Sequence, residues 1–181
     1  DRISEDVDRM TNLVNGLLEL SKIESGQVKT NIMPVGIVLL FESLRKSFSK
    51  KYIESNISLD FEIPNFSANV LAEFGMLMQV LTNLLENSLR FTNEGDSVKV
   101  FAKENQRTIS IIIVDNGIGI DKEHLPHVFE RFYKVERSRS DVGTGLGLAI
   151  VKHIVQYLNG EVYINSELGV ETRVEIELKK I

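Results

Sequence analysis

At 181 residues, with 43% hydrophobic and 26% charged side chains, the chain has the make-up of a globular domain with one sizeable core and a small added element. A formal net charge of −5 and a pI near 5.3 speak against a general nucleic-acid binder, so any phosphate site must be made locally against an unfavourable field. Cysteine is absent, which removes disulfides, thiolate metal sites and cysteine nucleophiles; no apolar stretch approaches the roughly 20 residues of a membrane-spanning helix, and no signal peptide opens the chain.

Residues 1–26 read as one amphipathic helix. Ile3, Val7, Met10, Val14 and Leu17 recur at spacings of four and three, Leu13, Leu18, Leu20 and Ile23 widen the stripe, and Gly26 ends it. A lone helix cannot bury such a stripe. It packs either on its own domain or in a coiled-coil-like bundle, and a pattern that begins with the first residue favours the bundle, as in a piece cut from something longer. Residues 27–33 alternate weakly as an edge strand, and Pro34 is expected to introduce a helix over about 35–55. A strand over 57–63 is ended by Pro64, and a short strand follows at 69–71.

Residues 73–91 form a strong helix with Met76, Val80, Leu81, Leu84, Leu85 and Leu89 inside. Strands 97–103 and 108–115 flank a turn at 104–107. Residues 115–144 are irregular, charged and punctuated by glycine, long for a connection within a domain, and 121–142 read as a lid or binding loop. A helix over about 145–158 stops at Gly160, and strands 161–165 and 172–178 complete the chain. This order argues for an α/β fold with one layer of helices on one mixed sheet.

Three segments are poor choices for folding alone. Within Asn83-Leu84-Leu85-Glu86-Asn87-Ser88-Leu89-Arg90-Phe91, the amides of Asn83 and Asn87 share one helical face, with Arg90 on or beside it. Asparagine weakens a helix, whereas its carbonyl oxygen suits a hydrated, phosphate-bound Mg2+; a solvated polar face is the plain alternative. Asp115-Asn116-Gly117-Ile118-Gly119-Ile120 follows an apolar strand directly. Its aspartate is placed to accept a hydrogen bond from an exocyclic amine such as that of adenine, though Asp-Asn-Gly is also a good turn. Gly143-Thr144-Gly145-Leu146-Gly147-Leu148 opens a helix, whose unpaired N–H groups attract phosphate. A Rossmann unit is excluded because no βαβ unit surrounds these glycines, and a Walker loop because Gly-Lys-Ser/Thr is absent.

In this order the segments resemble the sensor histidine kinase branch of the GHKL ATPases. Residues 83–92 resemble its N box, 115–120 its first glycine box, Phe129-Glu130-Arg131-Phe132-Tyr133-Lys134 its F box and 143–150 its second glycine box. The likeness covers residues 27–181, and residues 1–26 are similar to the second helix of the family's dimerization and histidine-phosphotransfer hairpin. It implies a two-layer sandwich of mixed β-sheet and helices (the Bergerat ATP-binding fold) preceded by one long amphipathic helix. Carried over, Asn87 is the Mg2+ ligand with Asn83 beside it, and Arg90 and Lys134 meet the phosphates of ATP. Asp115 takes the adenine amine, Gly117, Gly119 and Ile120 border the base and ribose, and Phe91 and Tyr133 flank the nucleotide. The backbone at Gly143, Thr144, Gly145, Leu146, Gly147 and Leu148 holds the phosphates, and Thr172 is a further contact.

The sequence departs from the family pattern at Arg90 and Phe91, where lysine and tyrosine are common, and at Lys134, where arginine is. Val142 replaces a frequent glycine, and Gly169-Val170-Glu171-Thr172 stands where Gly-x-Gly-Thr is usual. None of His124, His127 and His153 sits in the family's acceptor box, so the resemblance puts the phosphorylated histidine upstream of Asp1. It further implies a homodimer through the helical hairpin, a response regulator receiver domain as partner, no nucleic acid, and a cytoplasmic domain of an inner-membrane sensor, with the membrane reached only through segments outside this chain. A degenerate nucleotide-sensing module and an anti-sigma-type serine kinase share the fold and are the competing readings. Glu86 would be a water-activating base only in a hydrolase of the gyrase or chaperone type.

Overall fold

The computed structural model describes residues 2–25, 31–66, 69–135 and 143–181. In chain order the elements are α1 (Arg2–Glu24), β1 (Met33–Gly36), α2 (Ile37–Glu54), β2 (Ser58–Phe61), β3 (Asn69–Ala72) and α3 (Phe74–Phe91). They continue with β4 (Ser97–Glu104), β5 (Thr108–Asp115), α4 (Gly147–Tyr157), β6 (Glu161–Glu167) and β7 (Glu171–Lys179).

Helix α3 starts where the Glu73 carboxylate accepts hydrogen bonds from the N–H groups of Gly75 and Met76, at 3.1 and 2.6 Å, satisfying two of the four orphan donors of a helix start. Its buried positions are Met76, Leu77, Val80, Leu81, Leu84, Leu85 and Ser88, a stripe of threes and fours that faces the core. Asn83, Asn87 and Arg90 are left off that stripe. Helix α4 packs beside α3 and buries Ala149, Ile150, Val151, Ile154 and Val155.

The main sheet has the order β2-β4-β5-β7-β6. Its neighbours are antiparallel except β2 and β4, which the crossover through β3 and α3 makes parallel. Val98, Val100, Ile109, Ile111, Ile113, Val174, Ile176 and Leu178 face inward and share one core with the helices. On the other face Phe101 pairs with Ile112, and Lys99, Lys103 and Arg173 stand 5.9, 5.7 and 5.8 Å from its ring centre. Their aliphatic stems cover apolar surface while the charges stay wet. This is the two-layer α/β sandwich with a mixed sheet that the sequence implies.

Two expectations are corrected. Pro34 lies in a strand, not at a helix start: β1 pairs antiparallel with β3, Pro34 opposite Leu71, and α2 begins at Ile37. β1 is an edge strand, where a residue without an N–H fits. The strands form a five-stranded mixed sheet and a separate β1–β3 ribbon, which meets the chain beyond β7 through a bridge between Val70 and Lys180. The expected strand over 27–33 and the stop at Gly26 lie largely outside the described residues, as do residues 136–142 of the expected lid.

Helix α1 carries two apolar stripes. Leu20 and Ile23 are buried in the common core and Leu13 packs against it. Gly16 is buried as well, and a Cβ there would stand 3.0 Å from Leu146 Cδ1 and 3.7 Å from Ile150 Cδ1. Val7, Met10, Val14 and Leu17 lie about 120° away around the helix and are exposed, Met10 at 68%. One face of the helix thus packs on its own domain, and the stripe expected to enter a bundle is open; the side chain of Ile3 lies outside the described residues.

Leu20→Ala is expected to cost about 2–5 kcal/mol of unfolding free energy, as for a buried leucine, and Met10→Ala about 0.5 kcal/mol or less. Urea unfolding of the two variants checks this; equal, small losses would show that α1 does not belong to the core.

Candidate functional site

The site is built at the end of β5. Asp115 is the strand's last residue and is 6% exposed. Ser88 of α3 donates its hydroxyl to Oδ2 at 3.0 Å, and the Gly117 N–H donates to Oδ1 at 3.2 Å. Burial raises the carboxyl's pKa above its ordinary value, the two hydrogen bonds oppose the rise, and Glu171 adds to it. No cation acts on this carboxylate among the described residues. Tyr52 of α2, whose hydroxyl donates to the Leu85 carbonyl at 2.8 Å, is itself pushed upward by burial and by Asp115. Thr172 stands opposite Asp115 in the β5–β7 register and is hydrogen-bond neighbour to Ser166 at 3.0 Å.

The first two glycines after Asp115 are required by close backbone packing. A Cβ on Gly117 would lie 2.2 Å from the Phe91 carbonyl oxygen, and one on Gly119, where φ is +66°, 2.1 Å from that of Glu167. The same crossing is bonded: Ile118 N–H donates to Phe91 O at 3.0 Å, and Gly169 N–H to Ile118 O at 2.8 Å. Ile120 N–H donates to the Ser166 hydroxyl at 2.8 Å. The loop is therefore clamped between the C-terminus of α3 and the β6–β7 turn. Asn116 is taken up by the fold, its Oδ1 accepting from Ser97 N–H at 2.7 Å.

Beside it, the asparagine face of α3 meets the start of α4. Asn83 Nδ2 donates to the Gly147 carbonyl at 3.5 Å, and Asn87 Nδ2 is 3.9 Å from where a Gly147 Cβ would be. The Arg90 guanidinium lies against Gly143, at 2.5 Å from the position of a Cβ. Thr144 Oγ1 accepts from Leu146 N–H at 3.3 Å, Leu146 is buried beneath α1, and Leu148 packs against the core. Among the described residues no side chain caps the N-terminus of α4, which leaves its first N–H groups and the positive end of its dipole without a side-chain partner beside Asn83, Asn87 and Arg90. Glu86 turns the other way, to Lys51 of α2 at 3.6 Å, off the face that Asn83 and Asn87 share.

The described part of the expected lid is a run of turns. His124, His127 and Glu130 N–H groups bond back to the carbonyls of Asp121, His124 and His127, Val128 is buried, and Phe132 N–H donates to Gly145 O at 2.9 Å. The F-box stretch is thereby pinned to the second glycine segment. Tyr133 is half-buried, its hydroxyl 2.8 Å from His124 Nδ1 and its ring 5.5 Å from that of His127. Lys134 is exposed and Phe91 half-buried. His153 bonds the Ala149 carbonyl through Nδ1 at 2.8 Å.

Ser88 and Ser166 are the polar residues that sequence reasoning did not single out. Ser88 had a signal: it stands four after Leu84 on the apolar stripe of α3, where a hydroxyl requires a partner. Ser166 had none. A cleft of about 490 Å³ lined by Gln106, Arg107, Thr108, Lys179, Lys180 and Ile181 lies at the opposite end of β5 from Asp115. None of its lining residues is a buried polar group, and it gathers none of the expected site residues.

Residues 74–181 match the family of histidine kinase-, DNA gyrase B- and HSP90-like ATPases. The chain is 34% identical over 182 residues to the signal transduction histidine-protein kinase BaeS of Escherichia coli, covering 98% of this chain and 39% of that protein. It is 35% identical over 179 residues to the sensor histidine kinase YclK of Bacillus subtilis, covering 97% and 37%. The chain thus spans little more than a third of these relatives. Its structure is similar to that of full-length ShkA in complex with AMPPNP, with a TM-score of 0.86 and 26% identity over 97% of this chain and 37% of that one.

Because its pKa is raised by burial, Asp115 binds protons more readily folded than unfolded, so its contribution to stability is present at low pH and lost as pH rises through its folded pKa. Asp115→Asn is therefore expected to melt at or above the wild-type temperature at pH 7, with the difference closing as pH falls. Thermal unfolding at pH 5 and pH 7 checks it; a variant less stable than wild type by more than about 1 kcal/mol at pH 7 would make Asp115 a structural residue.

Proposed function

From membership of the histidine kinase-, DNA gyrase B- and HSP90-like ATPases, to which the chain belongs as the ATPase module of a two-component histidine kinase, we propose that it binds Mg-ATP and delivers the γ-phosphoryl group to a histidine outside this chain. The observation that carries the reading is a buried carboxylate with no counter-cation among the described residues, next to a helix start beside two asparagines and an arginine. Asp115 accepts the adenine amine with Thr172 across from it, while Gly117, Gly119 and Ile120 border the base and ribose, and Phe91 and Tyr133 flank the nucleotide. Arg90 and Lys134 meet the phosphates together with the backbone at Gly143, Thr144, Gly145, Leu146, Gly147 and Leu148.

Mg2+ fits this donor set. Asn87, with Asn83 beside it, offers neutral amide oxygens, and among the described residues no cluster of three His, Asp or Glu side chains forms an all-protein metal cage. That suits an ion that keeps its waters and binds mostly through phosphate; when bound it neutralises charge on the phosphates. The residues of the chain position and screen: Arg90, Lys134 and the α4 N-terminus hold the triphosphate so that the bond from Pγ to the bridging oxygen breaks as a P–N bond to an imidazole forms, with ADP leaving.

In the whole protein α1 is the second helix of a dimerization hairpin, and residues 27–181 are the catalytic domain. Exposure of Val7, Met10, Val14 and Leu17 supports a homodimer through that hairpin. The phosphohistidine then passes its phosphoryl group to an aspartate of a response regulator receiver domain. Among the described residues no helix is long and apolar enough to cross a membrane. The proposed setting is the cytoplasmic side of a sensor anchored in the inner membrane by other segments. Pairing of Glu86 with Lys51 disfavours a hydrolase in which that carboxylate activates water.

Asn87→Ala is expected to weaken Mg-ATP by about tenfold or more while adenosine changes by about twofold at most, because the side chain acts through metal and phosphate. Calorimetric titration with both ligands checks it; equal losses would reduce Asn87 to a wall of the pocket.

A further inference from the structure

We infer that Ser88 is a positioning and specificity residue of the nucleotide site: its hydroxyl holds Asp115 as a pure acceptor and so selects a 6-amino purine over a 6-oxo purine. The inference rests on the adenine assignment proposed above.

Ser88 is the one polar residue on the buried stripe of α3 and is 5% exposed. A helical serine usually satisfies itself on its own helix. Thr11, Ser43 and Ser47 do so here, bonding the carbonyls of Val7, Leu39 and Ser43 four residues back at 2.8, 2.8 and 3.0 Å. Ser88 instead crosses to the sheet and donates to Asp115 Oδ2 at 3.0 Å. With Gly117 N–H on Oδ1, each carboxylate oxygen receives one donor from the protein and keeps a lone pair for a ligand.

That matters because of what surrounds the carboxylate. Among the described residues, Ser88 from α3 and the Gly117 N–H of its own loop bond it, Thr172 of β7 stands opposite it in register, and Tyr52 of α2 and Glu171 of β7 interact with it electrostatically. None of these is a cation. Burial and Glu171 favour the protonated acid, and Ser88 and Gly117 favour the carboxylate. An ionised Asp115 accepts from the amine at C6 of adenine and repels a carbonyl there. A protonated one has a hydrogen to give to that carbonyl and loses the distinction. Removing the Ser88 hydroxyl moves the balance toward the acid, so discrimination should fall, and fall most at low pH.

The test is calorimetric titration of the chain with Mg-ATP and Mg-ITP at pH 6 and pH 8, for wild type, Ser88→Ala and Ser88→Cys, with melting temperatures alongside. Wild type is expected to prefer ATP by about tenfold or more, the equivalent of one charge-assisted hydrogen bond. Ser88→Ala should lose about tenfold in ATP affinity at pH 6 and less at pH 8, with ITP unchanged or tighter. Ser88→Cys, close in shape but a weak donor, should follow Ser88→Ala. An unchanged ATP-to-ITP ratio at both pH values in Ser88→Ala, or its restoration by cysteine, would make Ser88 a packing residue and overturn the inference while leaving the proposed function standing. Wild-type protein that binds neither nucleotide would overturn both.

Discussion

A carboxylate held in the interior with no cation paired to it among the described residues is the constraint on which this architecture turns. Ionised, Asp115 is costly to bury, and the fold meets that cost with two hydrogen bonds, one from α3 and one from the loop that follows β5. The Gly117 donor is local to the loop, but the Ser88 donor is present only because α3 lies across the end of β5 at close range. The stripe from Met76 to Leu85 brings the helix there by burying apolar surface against the sheet. The Phe91–Ile118 hydrogen bond then fixes the crossing where the helix ends.

From that crossing the rest of the site follows. With its apolar stripe turned inward, α3 presents Asn83, Asn87 and Arg90 to the start of α4, where Gly143 and Gly147 leave room for them. Phe132 ties the preceding turns to Gly145, so the aromatic stretch and the glycine segment are held as one wall. Leu146, at the threshold of α4, is also the floor on which Gly16 of α1 rests. The helix offered to a partner and the segment offered to phosphate thereby share a packed contact.

Much of this was legible in the residues. The spacing of Met76, Val80, Leu81, Leu84 and Leu85 marks a buried helix face, and Asn83 and Asn87 at an interval of four must share another. The apolar run ending in Asp115 defines both the strand and the position of its carboxylate. What escaped depends on tertiary context. Pro34 looks like a helix start because its φ suits one; only the pairing of Met33–Gly36 with Asn69–Ala72 makes it a strand residue. The stripe of α1 reads as one because the helical wheel does not say that Leu20 and Ile23 are claimed by the domain. Gly117 and Gly119 invite a ligand-contact reading, and the sequence does not show that close backbone-on-backbone packing also requires glycine at both. Ser88 is the instructive case: its place on an apolar stripe demanded a partner, but naming Asp115 required the fold.

The central claim is that nucleotide occupies the space between the C-terminal half of α3, the end of β5 and the start of α4. The most direct measurement is a heteronuclear NMR titration of the labelled chain with Mg2+ and a non-hydrolysable ATP analogue, following backbone amides. The account predicts saturating shifts concentrated at Gly117, Gly119, Gly145, Gly147 and the Asn87–Phe91 turn. Shifts confined to the opposite end of the sheet, around Gln106, Thr108 and Lys179, would contradict it.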